Sequence, residues 1–168
     1  PVDCSISTLT SDEALAADRE LIVDRARGGH IVEGHGDLRP EHVCLLDTPV
    51  VIDCLEFNRA LRLVDPFDEI AFLGLECDFA GASWIGPQLV RRCAEALGDE
   101  VAPRLLAIYT AYRALLRARL SAAHLLEPDP REPERWLPQA ARYIEFALRA
   151  LAPRTTGAGN FRKRLPAG

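Results

Sequence analysis

Two histidines and three carboxylates crowd the stretch VEGHGDLRPEHVCLLDTPVVIDCLEFN, residues 32–58: His35, Asp37, His42, Asp53 and Glu56. Asp37 follows Gly36, and a glycine there permits a tight turn closed to bulkier residues. An aspartate held on such a turn can accept a proton from a hydroxyl nucleophile, or orient it. Asp53 ends a short apolar run, where a carboxylate is costly unless it is paired or holds a cation. Glu56 lies three residues further on. Converging carboxylates favour a hard cation such as magnesium, which bridges phosphates. The same residue types also permit a metallohydrolase, with His35, Asp37, His42 and Asp53 around zinc or manganese.

Each of these residues has a plainer role to set beside the chemical one. Asp37 can cap a turn, and His35 suits a packed, hydrogen-bonded place inside it better than proton transfer. Glu56 and Asn58 can hydrogen-bond the loop backbone, and Arg62 is expected to pair with a nearby carboxylate and order that loop. His42 reads more readily as a half-buried polar residue than as a firm ligand. Arg113, Arg117 and Arg119 read as a solvated helix face with salt bridges rather than a grip for phosphate. Tyr109 and Tyr112 read as core, and His30 and His124 have no partner legible in the sequence.

The elements that must position these residues follow from punctuation and period. Thr10-Ser11-Asp12-Glu13 has the form of a capping box, so a helix is expected from there to about Arg27, stopped by Gly28-Gly29. The apolar runs 43–46 and 50–52, joined by Asp47-Thr48-Pro49, predict a small hairpin buried on at least one face. Asp65-Pro66 starts a mostly buried helix ending near Gly81. A helix over about 87–97 stops at Gly98, and the longest helix spans about 100–126 with Leu105, Ile108, Tyr112, Leu115, Leu116 and Leu120 at helical spacing. A last helix spans about 132–151, with Trp136, Ala140, Tyr143, Ile144 and Leu148 on one side. Residues 1–152 thus form one domain, and 153–168 read as a mobile tail.

Composition narrows the class. The chain has 168 residues, 48% of them hydrophobic, so one domain or a large piece of one can bury a real core. The net charge of −5, with both signs mixed along the chain, argues against a nucleic-acid surface but not against a local site for a small anion. Lys163 is the single lysine. The five cysteines show no CxxC pair and read as reduced core residues of a cytoplasmic protein. No leader peptide and no membrane-length apolar run is visible. The lack of methionine fits either a removed start residue or a piece of a longer chain.

The ordered set His35-Gly36-Asp37-Leu38, a hairpin, Ile52-Asp53, then Asp65-Pro66 opening a helix with Glu69-Ile70-Ala71 resembles the aminoglycoside phosphotransferase family. That family shares the protein-kinase-like fold. The runs VIDCLEFNRALRLVDPFDEIAFL and YTAYRA, residues 109–114, are similar to a bacterial branch sometimes fused to a P-loop ATP-binding domain. The likeness covers about residues 15–126.

It implies a mainly α fold with a short β-hairpin, the C-terminal lobe of a kinase-like fold without its N-terminal lobe. Residues before 30 hold no strand pattern and no lysine to grip ATP phosphates. By the same likeness Asp37 is the catalytic base and Asp53 the metal-binding aspartate. His42 stands where the family has a metal-binding asparagine, and Glu69 where an aspartate is usual. His35, Glu56, Arg62 and Asp65 support the site, with Asp65 starting a helix that braces the catalytic turn. The implied cofactors are Mg2+ and ATP, and the implied activity is phosphate transfer to a hydroxyl of a small molecule, inactive in this segment alone. The competing expectation, from the altered ligand at His42, is a non-catalytic binding or scaffold module. No nucleic acid or membrane partner is implied. A lobe lacking its partner exposes an apolar face through which it can self-associate.

Overall fold

The structure is a computed structural model; it describes residues 4–152, with side chains from residue 14 onward. The expectation of a mobile tail over 153–168 therefore lies outside the described residues.

Five helices and two small antiparallel strand pairs make up the described chain. The mainly helical class expected from the sequence is the one found. Helix α1 spans Cys4–Arg27. Its start lies upstream of Thr10 to Glu13, so the expected capping box falls inside the helix. Its end is where Gly28-Gly29 placed it. His30 N–H bonds back to the Arg25 carbonyl (3.1 Å) and Gly29 N–H to Ala26 (3.2 Å), with Gly29 at φ 78°. That is the two-bond cap in which a left-handed residue satisfies the last carbonyls.

Strands β1 (Val32–Glu33) and β4 (Leu63–Val64) pair antiparallel, as do β2 (Val43–Cys44) and β3 (Val50–Val51). The second pair is the expected hairpin. Its burial is a correction in part: Val43 and Cys44 are half-buried, but Leu45, Leu46, Val50, Val51 and Ile52 are all exposed, Leu45 by 85%. β-Branched runs read as buried because they pack well on a pleated face, but most of this one is left open to solvent.

Helix α2 (Pro66–Phe79) is the hub. Asp65 caps it by accepting the Phe67 N–H (2.9 Å), and Pro66 occupies the first helical position, where its missing N–H costs nothing. Phe67 and Ala71 pack on Leu105 and Tyr109 of α4 (Pro103–Ala123). Phe72 and Leu75 pack on Ala111 and Ala114 of α4 and on Phe146 and Ala147 of α5 (Pro133–Leu151). Phe67 is fully buried, and burial of such a ring contributes roughly 2–3 kcal/mol. Helix α3 (Ile85–Leu97) crosses α2 where two glycines meet; a Cβ on Gly74 would lie 2.9 Å from the Gly86 Cα.

Helices α4 and α5 are rotated from the expected faces. Leu105 is buried as expected, but Tyr112, Leu115 and Leu120 are exposed. On α5, Ala140 and Tyr143 are buried, while Ile144 and Leu148 face outward and Phe146 and Ala147 take their place. Small alanines line the α4 and α5 inner faces, and a hydropathy pattern weights large side chains over alanine. Of the cysteines with described side chains, all are free; Cys77 is buried, Cys44 and Cys93 are half-buried, and Cys54 is exposed, against the expectation that it is core. Among the described residues no helix is long and apolar enough to cross a membrane.

Candidate functional site

The His-Gly-Asp turn is anchored from below by two side chains of α2 and one of α4. Glu69 accepts the backbone N–H of His35 (3.0 Å) and that of Gly36. Arg113 donates to the Gly36 carbonyl (3.0 Å) and forms a two-pronged pair with Asp68 (2.9 and 2.6 Å). Gly36 sits at φ 87°, and a Cβ there would lie 2.8 Å from the Leu61 carbonyl oxygen. The turn therefore needs glycine on two counts, as its sequence indicated.

A helix beginning at Asp65 does brace the turn, but Asp65 is not the residue that touches it. Asp65 accepts two bonds from Arg25 of α1 (2.6 and 3.0 Å) and one from the Tyr109 hydroxyl (3.0 Å). Arg25 also reaches Asp99 (2.8 Å), which pairs with His30 (3.0 Å). Asp65 thus ties α1, α2 and α4 together beneath the site. Arg113 is a correction: it is buried at 6% exposure, not on a solvated face. Burial pushes the Asp68 carboxyl above the usual range, and Arg113 opposes that shift. Arg117 is likewise half-buried and paired with Glu76 (3.0 Å). Tyr109 is core as expected; Tyr112 is not.

Around Asp37 the histidines take defined roles. The His35 ring contacts the Ile52 carbonyl through Nε2 (2.7 Å), and its Nδ1 accepts the Asp37 N–H (3.3 Å). Those partners fit the tautomer protonated on Nε2. His35 is thus structural, linking the turn to the hairpin's end. It stacks on His42, ring centroids 5.3 Å apart. His42 is buried, with Nδ1 against the Asp37 carbonyl (2.8 Å). Its Nε2 faces Arg39 (3.1 Å) and lies 3.4 Å from Asp53. Arg39 in turn donates to the Asp37 carboxylate (3.1 Å). His42 therefore spans the two aspartates.

Asp53 is exposed at 76%, not buried, and holds φ 62°, a left-handed backbone that few non-glycine residues adopt. Strain of this kind persists where the surroundings fix it, and it concentrates at ligand sites. The supporting loop behaves as expected in part. Arg62 pairs with Glu33 and donates to the Leu55 carbonyl (2.6 Å), and Asn58 caps a short turn at Ala60 (2.9 Å). Glu56 is exposed, and no side-chain bond of it is among those found.

Asp53 presents a solvent-open carboxylate, an oxygen donor of the kind a hard cation takes. His42 does not suit such a cation. In the tautomer that donates to the Asp37 carbonyl, the Nε2 lone pair is taken up by the Arg39 guanidinium, a cation itself. Among the described residues no group of three or more His, Cys, Asp or Glu side chains could hold a metal ion by itself.

Burial raises the Tyr109 phenol above its ordinary value near 10, and the adjacent Asp65 charge adds to the rise. A raised folded value means stability is whole below about pH 10 and is lost as pH climbs through the folded value. Tyr143, raised chiefly by burial, acts in the same direction. Thermal melts from about pH 8 to about pH 11 are expected to show a falling midpoint, with a shallower fall in Tyr109→Phe. An equal slope in both proteins would contradict this assignment.

Sequence reasoning missed Asp68 and Arg25 and placed Arg113 on a solvated face. Their signal was weak: a charge inside an apolar helical run. Two apolar clefts flank the helices. One of about 680 Å³ opens beside Asp37. The other, of about 580 Å³, lies over Gly74 and Gly86, away from the site.

No protein-family model matches the chain, and no solved structure matches it. An uncharacterized protein of Mycobacterium bovis is 32% identical over 145 residues, covering 84% of this chain. Uncharacterized proteins from two strains of Mycobacterium tuberculosis match with the same identity and coverage. The chain spans 29% of the length of these curated relatives.

Proposed function

We propose that this chain is the C-terminal lobe of an ATP-dependent small-molecule phosphotransferase, resembling the aminoglycoside phosphotransferase family and its kinase-like fold. The observation that carries the reading is the turn at Asp37, fixed by Glu69 and Arg113, with His42 against its backbone and an exposed, left-handed Asp53 3.4 Å from that ring.

Asp37 is the base. It takes the proton of an acceptor hydroxyl as that oxygen bonds to the γ-phosphorus and the bond to the ADP oxygen breaks. Arg39 and His42 hold Asp37 from the carboxylate and the backbone side respectively. Asp53 would hold Mg2+, which supplies charge neutralisation on the phosphates. A second lobe, carrying the lysine that grips phosphates, completes the nucleotide site; Lys163 lies outside the described residues. The relatives are more than three times as long as the matched segment, which leaves room for such a lobe in them.

The contact of Arg39 with His42 favours the second reading, a kinase-derived binding module that no longer transfers phosphate. ATP-dependent phosphorylation of hydroxyl compounds by this chain joined to its second lobe decides between them. Transfer that Asp37→Asn removes supports the enzyme; transfer absent from the joined protein supports the module.

A further inference from the structure

We infer that the acceptor of this site is an uncharged, largely apolar alcohol, aromatic or alicyclic, rather than a polycationic amino sugar. The inference rests on the phosphotransferase reading for its reaction, but the binding surface stands on geometry alone.

The cleft beside Asp37 has a volume of about 680 Å³, within the range that holds one drug-sized molecule. One wall is the outward face of α4: Tyr112, Leu116 and Leu120, with Tyr112 exposed by 57%. Ile22 of α1 and Leu61 and Leu63 of the segment before α2 also line the cleft, each more than 40% exposed. Of the α4 residues, whose helical spacing suggested core, Tyr112 and Leu120 are exposed and Leu116 is half-buried. Exposed apolar side chains lining one cleft match an apolar guest.

Charge points the same way. Four ionisable carboxylate or guanidinium groups line the cleft: Asp37, Asp65, Asp68 and Arg113. Asp65 is spent on Arg25 and Tyr109, and Asp68 and Arg113 are spent on each other. All three are buried below a tenth of their area. Asp37 alone offers a carboxylate, and Arg39 already touches it. A polyamine would lose water from several ammonium groups and find one partner, an unfavourable exchange. A neutral alcohol loses little, buries its ring on Tyr112 and Leu116, and presents its hydroxyl to Asp37.

The test is binding to the 168-residue chain, without nucleotide, of 2-naphthalenemethanol and, separately, kanamycin, by calorimetry and saturation-transfer spectra. The naphthyl alcohol is expected to bind saturably, at least tenfold more weakly to Tyr112→Asp and Leu61→Asp. Both positions are exposed, and circular dichroism checks that the variants fold. Kanamycin is expected not to bind. Folded wild-type chain that ignores the alcohol, or binds it as tightly in both variants, would overturn the proposal, and so would tighter binding of kanamycin. Sedimentation runs alongside: a dimer that Tyr112→Asp dissolves would show that a second copy fills the cleft, and would also overturn it. Because no nucleotide is present, failure here leaves the phosphotransferase reading standing, and loss of transfer alone leaves the cleft assignment standing.

Discussion

Arg113→Ala is expected to cost about 3–5 kcal/mol of stability, the penalty for stranding one partner of a buried ion pair. For a chain of this size that lowers the thermal midpoint by roughly 6–20 °C. Three contacts go together. Asp68 keeps its buried carboxylate without a partner, the Gly36 carbonyl loses its donor, and the guanidinium leaves the face of Phe72, 5.0 Å from the ring centre. Arg113→Lys keeps the charge but not the fork, so it falls between the two. Removing Asp68 as well, as Asp68→Leu with Arg113→Met, is expected to recover much of the loss, since an apolar pair leaves no buried charge. Thermal melts of the four proteins check this. A small loss in Arg113→Ala would mean that the side chain is solvated rather than bonded beneath the turn.

The second large effect is on activity. Asp37→Asn keeps the shape of the turn and the Arg39 contact but removes the proton acceptor. General-base catalysis contributes about 100- to 10,000-fold, so in the chain joined to a lobe with the phosphate-gripping lysine, initial rates of ADP release with a hydroxyl acceptor are expected to fall by that much. The substrate's apparent affinity is expected to change little, because the asparagine still fills the place. A rate that survives would move the base elsewhere, and a KM change without a rate change would make Asp37 a binding residue.

Much of the fold could be read from local chemistry. Asp65-Pro66, Gly28-Gly29 and Gly98 mark helix ends because caps and left-handed stops depend only on nearest neighbours. The turn at Gly36 was legible for the same reason. The rest was not, because it depends on residues distant in sequence. Arg113 meets Asp68 across 45 positions and Arg25 meets Asp65 across 40. A single arginine within an apolar helix looks like a solvated interruption until its partner is placed. The β1–β4 pair joins Val32 to Val64, and two-residue strands leave no periodic pattern. The hairpin was found but its burial was misjudged, because burial is set by what packs above it. Asp53 shows the same division: its place at the hairpin's end was legible, whereas its exposure and left-handed backbone were not.

Glu69 illustrates how a departure from a pattern can be structural. It stands where the resembling family has an aspartate, and its extra methylene is compatible with reaching the backbone of His35 and Gly36. Gly34 beneath it has no room for a Cβ, which would lie 2.6 Å from the Glu69 carboxylate. His42 is the more consequential departure, because its contact with Arg39 leaves Asp53 as the side chain free to meet a cation.

Magnesium-dependent ATP binding, by calorimetry, tests the central claim most directly. The chain alone, the chain joined to a lobe carrying the phosphate-gripping lysine, and Asp53→Ala in both would be compared. Saturable, magnesium-dependent binding is expected in the joined protein, lost with Asp53→Ala and weak or missing in the chain alone. Binding that ignores Asp53→Ala, or no binding in the joined protein, would contradict the claim and leave a scaffold built on a kinase-like lobe.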